Sequence, residues 1–254
     1  MSPERLSSVK KKSVHLGQSG PETQFVLTCE HGGNQIPAAY RPLFAGAVET
    51  LKSHRGWDPG ALRVAETMSQ ILETRLFFSK TSRLLIELNR SLGHRSLFSE
   101  FTASLPVEER QTITDRHWAP YRNEVTAHLD TMIERGSRVI HLSVHSFTPV
   151  WENKLRRTNI GLLYDPRRAS ERSFCGQWKS NLQAAQPDLV IHSNQPYQGK
   201  ADGFTTSLRR RFDQHGSSRG EYIGVEIEIN QAMIHPASAA QIKSIAGLLC
   251  DCLP

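Results

Sequence analysis

Short apolar runs alternate along the chain with longer stretches whose apolar residues recur at helical spacing. Phe25–Cys29 is one such short run, and it opens into Glu30-His31-Gly32-Gly33-Asn34, which reads as a strand entering a glycine loop. Asp58 suits an N-cap and Pro59 a first helical position, and Leu62, Ala65, Met68, Ile71 and Leu72 then share one face, so Pro59–Thr74 is predicted helical. Leu76–Phe78 and Leu84–Leu88 are predicted strands. Pro106–Gly136 reads as helix with a break at Pro120, closed by the glycine. Arg138–His145 and Asn159–Tyr164 are strands, Ala169–Gln186 a helix, and Asp188–His192 a strand again. Thr206–Gln214 is a short helix, Tyr222–Asn230 a strand, and Ala237–Cys252 a closing helix.

Strands alternating with helices over the whole length predict an α/β fold with a parallel or mixed central sheet flanked by helices. In open sheets of that kind, sites form beyond the carboxyl ends of the strands. His31, Asn89-Arg90, His145, Asn194 and Glu228 stand at or near five predicted strand ends. Chance would rarely place five such groups so.

Composition narrows the classes. Hydrophobic residues make up 38% and charged residues 22%, which is ordinary for a globular chain. No apolar stretch approaches the roughly 18 residues of a membrane span. The basic segment of residues 1–20, with Lys10-Lys11-Lys12, lacks the apolar core of a secretory signal, so a flexible tail and a cytoplasmic location are expected. Four irregularly spaced cysteines make no disulfide framework. The net charge is +6, but the basic residues are scattered and no nucleic-acid motif accompanies them. No nucleic-acid partner is expected, and part of the charge would serve an anionic small molecule.

The candidate chemistry follows from residue type and place. His31 lies beside two glycines, where the backbone lets a ligand approach. On the strand ending at His145, Val139, His141, Ser143 and His145 share a face; His141 lies deeper and reads as a hydrogen-bonded core histidine. Asp58 is either a helix cap or a third, carboxylate ligand that would complete a catalytic metal site. Glu226 and Glu228 interrupt an apolar strand, and a buried carboxylate needs a partner or a task. Glu228, nearer the carboxyl end, is the candidate general base. Arg83, Asn89 and Arg90 could clamp an acidic substrate.

The motifs together resemble a known family. Glu30-His31-Gly32-Gly33-Asn34, His54-Arg55-Gly56-Trp57-Asp58-Pro59-Gly60-Ala61, Ser82-Arg83 with Leu88-Asn89-Arg90, His145-Ser146-Phe147, Asn159-Ile160-Gly161-Leu162-Leu163-Tyr164, Asn194-Gln195-Pro196-Tyr197 and Glu226-Ile227-Glu228-Ile229-Asn230-Gln231 are similar to those of the N-formylglutamate amidohydrolases, in the same order. The resemblance implies one catalytic domain over residues 21–254 with a phosphorylase/hydrolase-like fold of the zinc carboxypeptidase kind. It implies one Zn2+ per chain on His31, His145 and Asp58, with His54 in reserve. Asn34 stands where carboxypeptidase-like sites carry a glutamate three residues after the first histidine. It implies Glu228 as the base for an activated water and Arg83 at the scissile carbonyl. Asn89, Arg90, Asn194 and Tyr197 would bind a carboxylate-bearing small substrate. Glu30-His31-Gly32-Gly33 departs from the Pro-His-Ser-Gly form of the histidine-degradation enzymes, which leaves the acyl group open. The alternative is a non-catalytic or peptide-directed member of the fold, binding an acidic small molecule or a cell-wall-type peptide.

Overall fold

Two ten-residue strands, side by side and in continuous register, form the centre of the molecule. A computed structural model describes residues 22–214 and 220–254; the expected basic tail lies outside the described residues. The strands are β1 (Thr23–Cys29), β2 (Leu76–Phe78), β3 (Arg138–Phe147), β4 (Val150–Trp151), β5 (Lys154–Leu155), β6 (Ile160–Leu163), β7 (Ile191–Ser193) and β8 (Glu221–Asn230). The helices are α1 (Val48–Lys52), α2 (Ala61–Ile71), α3 (Val107–Ile113), α4 (Ala119–Glu134), α5 (Ala169–Ala185), α6 (Phe204–Gln214), α7 (Gln231–Ile234) and α8 (Ala239–Asp251).

The main sheet has the order β2-β1-β3-β8-β6-β7. Its first four strands run parallel, while β6 pairs antiparallel with β8 and parallel with β7. This is the mixed sheet flanked by helices that the alternation predicts. Strand β4 and strand β5 form a separate hairpin.

Period-two alternation decides what each face carries. Leu27, Ile140, Leu142, Val144, Ile223, Val225, Ile227 and Ile229 point to one face and pack with α2, α5 and α8 in the largest apolar cluster. Val26, Val139 and Tyr222 point to the other, against Val125 and Leu129 of α4 and Phe204 and Leu208 of α6. Further along, that second face turns polar. Ser143 lies opposite Glu226, and His145 opposite Glu228. Close approach also governs the neighbouring strand: a Cβ at Gly161 would stand 2.0 Å from the Gln195 carbonyl oxygen and 3.3 Å from Glu228 Cβ.

Three local expectations are corrected. Leu84–Leu88 is buried but is not a strand. It is a coil inside a second apolar cluster with Tyr40, Phe44 and Ile113. Its carbonyls are satisfied by side chains: Ser99 Oγ donates to Leu84, Thr102 Oγ1 to Leu85 (3.1 Å) and Arg122 Nη1 to Leu88 (3.0 Å). The break in the long helical stretch is the π-helical turn Thr114–Trp118; Pro120 sits just after it, in the first turn of α4. Helix α2 begins at Ala61, not Pro59, and its N-cap is Gly60 at φ 85°, not Asp58. A side chain at Gly60 would also meet the Ile234 carbonyl at 2.6 Å.

Among the described residues, no helix is long and apolar enough to cross a membrane. The four cysteines are buried and free.

Candidate active site

The polar end of the second sheet face collects its residues from three parallel strands and two loops. His31 follows β1, His145 and Glu228 lie near the ends of β3 and β8, and Asp58 and Glu87 come from the loops before α2 and after β2. Because α2 is capped by Gly60, the Asp58 carboxylate is free to turn inward.

Asp58 Oδ2 faces both histidines, 3.3 Å from His31 Nδ1 and 3.0 Å from His145 Nδ1. Ligand atoms of His31, Asp58 and His145 all lie within 4.8 Å of one another, and all three residues are buried. The other nitrogen of each ring has its own carboxylate. Glu87 Oε1 contacts His31 Nε2, and Glu30 Oε2 lies 3.2 Å from His145 Nε2. A carboxylate at each Nε2 can accept the proton carried there, so that each ring could turn its Nδ1 lone pair inward toward a bound cation. Two imidazole nitrogens and a carboxylate oxygen, backed in this way, can bind a metal ion.

The supporting carboxylates are themselves fully engaged. Glu30 accepts from Ser143 Oγ (2.7 Å) and Tyr121 OH (3.0 Å). Glu87 accepts from Arg83 Nε (2.7 Å) and the Asn89 amide (3.0 Å). Arg83 Nη1 also reaches Asp58 Oδ1 at 3.2 Å. Burial acts to raise all three carboxyl pKa values, yet their cationic neighbours hold them well below the ordinary range. For Glu30 these are the hydrogen bond and charge of His145, for Glu87 the charges of Arg83 and His31, and for Asp58 the charge of His31 with hydrogen bonds from both rings. Burial also acts to lower His145, but its two carboxylates raise it well above the usual histidine value.

Glu228 is the exception. Its Oε2 is buried and has no hydrogen-bond partner among the described residues. Burial pushes its pKa up to about 8; the charge on His145 opposes the shift, and the carboxylates of Asp58 and Glu226 add to it. Glu226, by contrast, accepts from Thr205 Oγ1 at 2.7 Å.

These groups open onto a cavity of ≈470 Å³ whose rim includes Asn89, Arg90 and Tyr197. The residue class and the cavity size suit a small polar ligand. The family profile of N-formylglutamate amidohydrolase matches residues 23–235. The chain belongs to the N-formylglutamate amidohydrolase family. Gene product Atu2144 from Agrobacterium tumefaciens, a solved structure, is 28% identical with a TM-score of 0.76, over 89% of this chain and 87% of that one. A solved N-formylglutamate amidohydrolase from Ralstonia eutropha JMP134 is 17% identical with a TM-score of 0.65, over 92% and 93%, and shares the fold. No curated protein matches the chain.

Within this amidohydrolase fold, the cavity unites His31, Asp58, Arg83, Asn89, Arg90, His145, Tyr197 and Glu228, eight of the nine residues singled out in the sequence. Asn194 is not on its wall. Strand β7 runs against the direction of β8, so its carboxyl end lies away from that of β8; the Asn194 side chain instead accepts from the amides of Tyr164 (3.1 Å) and Gly199 (3.0 Å), shaping the loop that carries Tyr197. His54 is outside the metal-binding group and packs edge-on against Trp151.

Sequence reasoning missed Glu30 and Glu87. Glu30 continues the alternation of Val26 and Thr28, which places it on the polar face. Glu87 interrupts Leu84-Leu85-Ile86, the same signature that singled out Glu228.

Proposed function

We propose that the chain is a zinc-dependent amidohydrolase that cleaves the amide of a small N-acylated amino acid of the N-formylglutamate type, giving the free carboxylic acid and the amine. The observation that carries this reading is the buried His31–Asp58–His145 group beside the unpartnered Glu228, in a cavity shared with Asn89 and Arg90. Family membership supports the reaction class.

His31, His145 and Asp58 would hold one metal ion per chain. When bound, the metal supplies Lewis acidity, which acidifies water and polarises a carbonyl. Glu228, whose ionisation a cation on the neighbouring ligands would favour, accepts a proton from the attacking water and returns it to the leaving nitrogen. Arg83, oriented by Glu87 and Asp58, meets the carbonyl oxygen as negative charge develops there. Arg90 binds the substrate carboxylate, assisted by Asn89 and Tyr197. One Arg90 nitrogen already donates to the Asp202 carbonyl, which limits the directions the guanidinium can face.

A binding protein on the same fold would gain nothing from a buried carboxylate left without a partner, because such a group costs stability. That supports the catalytic reading over the non-catalytic one. The test is elemental analysis of purified protein, with formate release from N-formyl-L-glutamate followed in parallel. The expected result is about one zinc per chain and turnover, both lost in His145→Ala. Undiminished turnover by metal-free protein would refute the mechanism.

A further inference from the structure

Beside the first cavity lies a second of ≈500 Å³, and the two share Asp58, Arg83, Ser146 and Tyr197. Asp58, one of the three residues of the metal-binding group, therefore lies where the two chambers meet, while His31 and His145 line the first alone. The first chamber contains the carboxylate-binding pair Asn89 and Arg90; the second contains neither.

The second chamber is walled by rings. His54, Phe147, Trp151 and Tyr197 line it. Trp151 meets His54 edge to face, with centroids 5.8 Å apart. Arg156 does not line the chamber, yet its guanidinium lies 5.6, 5.2 and 5.5 Å from the centroids of Phe147, Trp151 and Tyr197. It contacts three rings by cation–π interaction. The cations that do line the chamber are engaged: Arg55 pairs with Glu100, and Arg83 with Glu87 and Asp58. Burial and the charges of Arg55, Arg83 and Arg156 push the His54 pKa down, which disfavours its charged form.

Trp151 is held there by its local fold. It ends the first strand of the β4–β5 hairpin, whose central residues Glu152 and Asn153 both have positive φ, 48° and 60°. A two-residue loop of that kind makes a tight hairpin that matches strand twist. Trp151 and Tyr197 remain 46% exposed at the chamber mouth, apolar surface that a ligand would cover.

A formyl group has two heavy atoms and is scarcely larger than a water, whose share of liquid volume is about 30 Å³. It would leave the second chamber empty. We propose that this chamber is the acyl subsite and takes a planar aromatic acyl group, joined through the scissile amide to an amino acid whose carboxylate lies in the first chamber. This rests on the amidohydrolase reading above and goes beyond it in naming the acyl class.

The test compares kcat/KM for N-benzoyl-L-glutamate and N-formyl-L-glutamate on metal-loaded protein. The benzoyl compound should be preferred by about tenfold or more, the scale on which an apolar subsite discriminates. Trp151→Ala should lower that ratio by about tenfold, and Trp151→Phe should restore most of it. A ratio at or below one, or a ratio unchanged in Trp151→Ala, overturns the proposal. If neither compound is hydrolysed, the amidohydrolase reading fails, and calorimetric binding of the two compounds then decides on the chamber. Tighter binding of the benzoyl compound that weakens in Trp151→Ala supports the subsite, whereas equal binding of both overturns it.

Discussion

His141 and His145 stand on the same face of β3, two positions of the alternation apart, and both are buried. Around His141 the neighbours are hydroxyls: Thr28 Oγ1 lies 2.9 Å from Nε2, and Tyr222 OH 2.8 Å from Nδ1. Around His145 they are the carboxylates of Asp58 and Glu30. Burial lowers His141 to about 4, with Glu30 opposing and the charges of Arg209 and His145 adding. The same burial at His145 is overridden by its anionic neighbours, which raise it. Depth does not separate the two rings; charge around them does. One end of the strand face is a neutral core that is already satisfied, and the other is an anionic nest with capacity for a cation.

The largest effect is expected at the anionic end. His145→Ala should bring metal content to background and abolish turnover, while His141→Asn should keep its metal. A His141 variant that lost metal as completely would erase the distinction. Next comes Glu228→Gln, which should retain metal but lower kcat by about 10²–10⁴-fold, the range of general acid–base catalysis. Glu226→Gln, whose carboxylate already has Thr205, should change kcat far less; the reverse order would mean that the wrong strand carboxylate had been assigned as base. Glu30→Gln and Glu87→Gln should each weaken metal affinity by about 10–100-fold in a chelator competition, because each keeps its ring's shape but loses the charge that orients it. Unchanged affinity would reduce both to packing residues.

The smallest effect concerns stability and pH, and it belongs to the neutral end. His141 has a native pKa of about 4 against an ordinary 6.5. As pH falls through that window, the unfolded chain takes up a proton that the native ring refuses, so stability is lost, by about 3 kcal/mol once both states are protonated. The raised pKa of His145 has the opposite sign: in metal-free protein its contribution is complete below 6.5 and is lost as pH rises through the native value. Denaturant midpoints between pH 6.5 and 4 should therefore decline less in His141→Asn than in the parent. Equal declines would place the acid sensitivity elsewhere.

The sequence carried this contrast unevenly. Strands β3 and β8 were legible because ten residues of alternation outweigh any local ambiguity, and the same alternation set His141 and His145 on one face. His31, Asp58 and Glu228 were legible as polar groups set where apolar chain gives way. Leu84–Leu88 was not, because a buried coil and a buried strand have the same composition. What distinguishes them is that the coil's carbonyls are taken by Ser99, Thr102 and Arg122, more than ten residues away in sequence. Asn194 was misplaced for a related reason: the direction of β7 is set by its neighbour β6, and no local pattern reports direction. Asp58 was read as a possible cap because capping is the commonest use of aspartate before a helix. The left-handed backbone of Gly60 freed it from that duty.

The register between β3 and β8 couples survival of the fold to survival of the chemistry. His145 lies opposite Glu228 in the same ladder that sends Val144 and Ile227 into the apolar core. A slip of one residue would exchange the two sets, turning imidazole and carboxylates into the core and aliphatic side chains into the cavity. Misaligned chains of this protein could not persist as folded but inactive molecules. A turnover measurement on a library of sheet variants therefore also reports correct strand alignment.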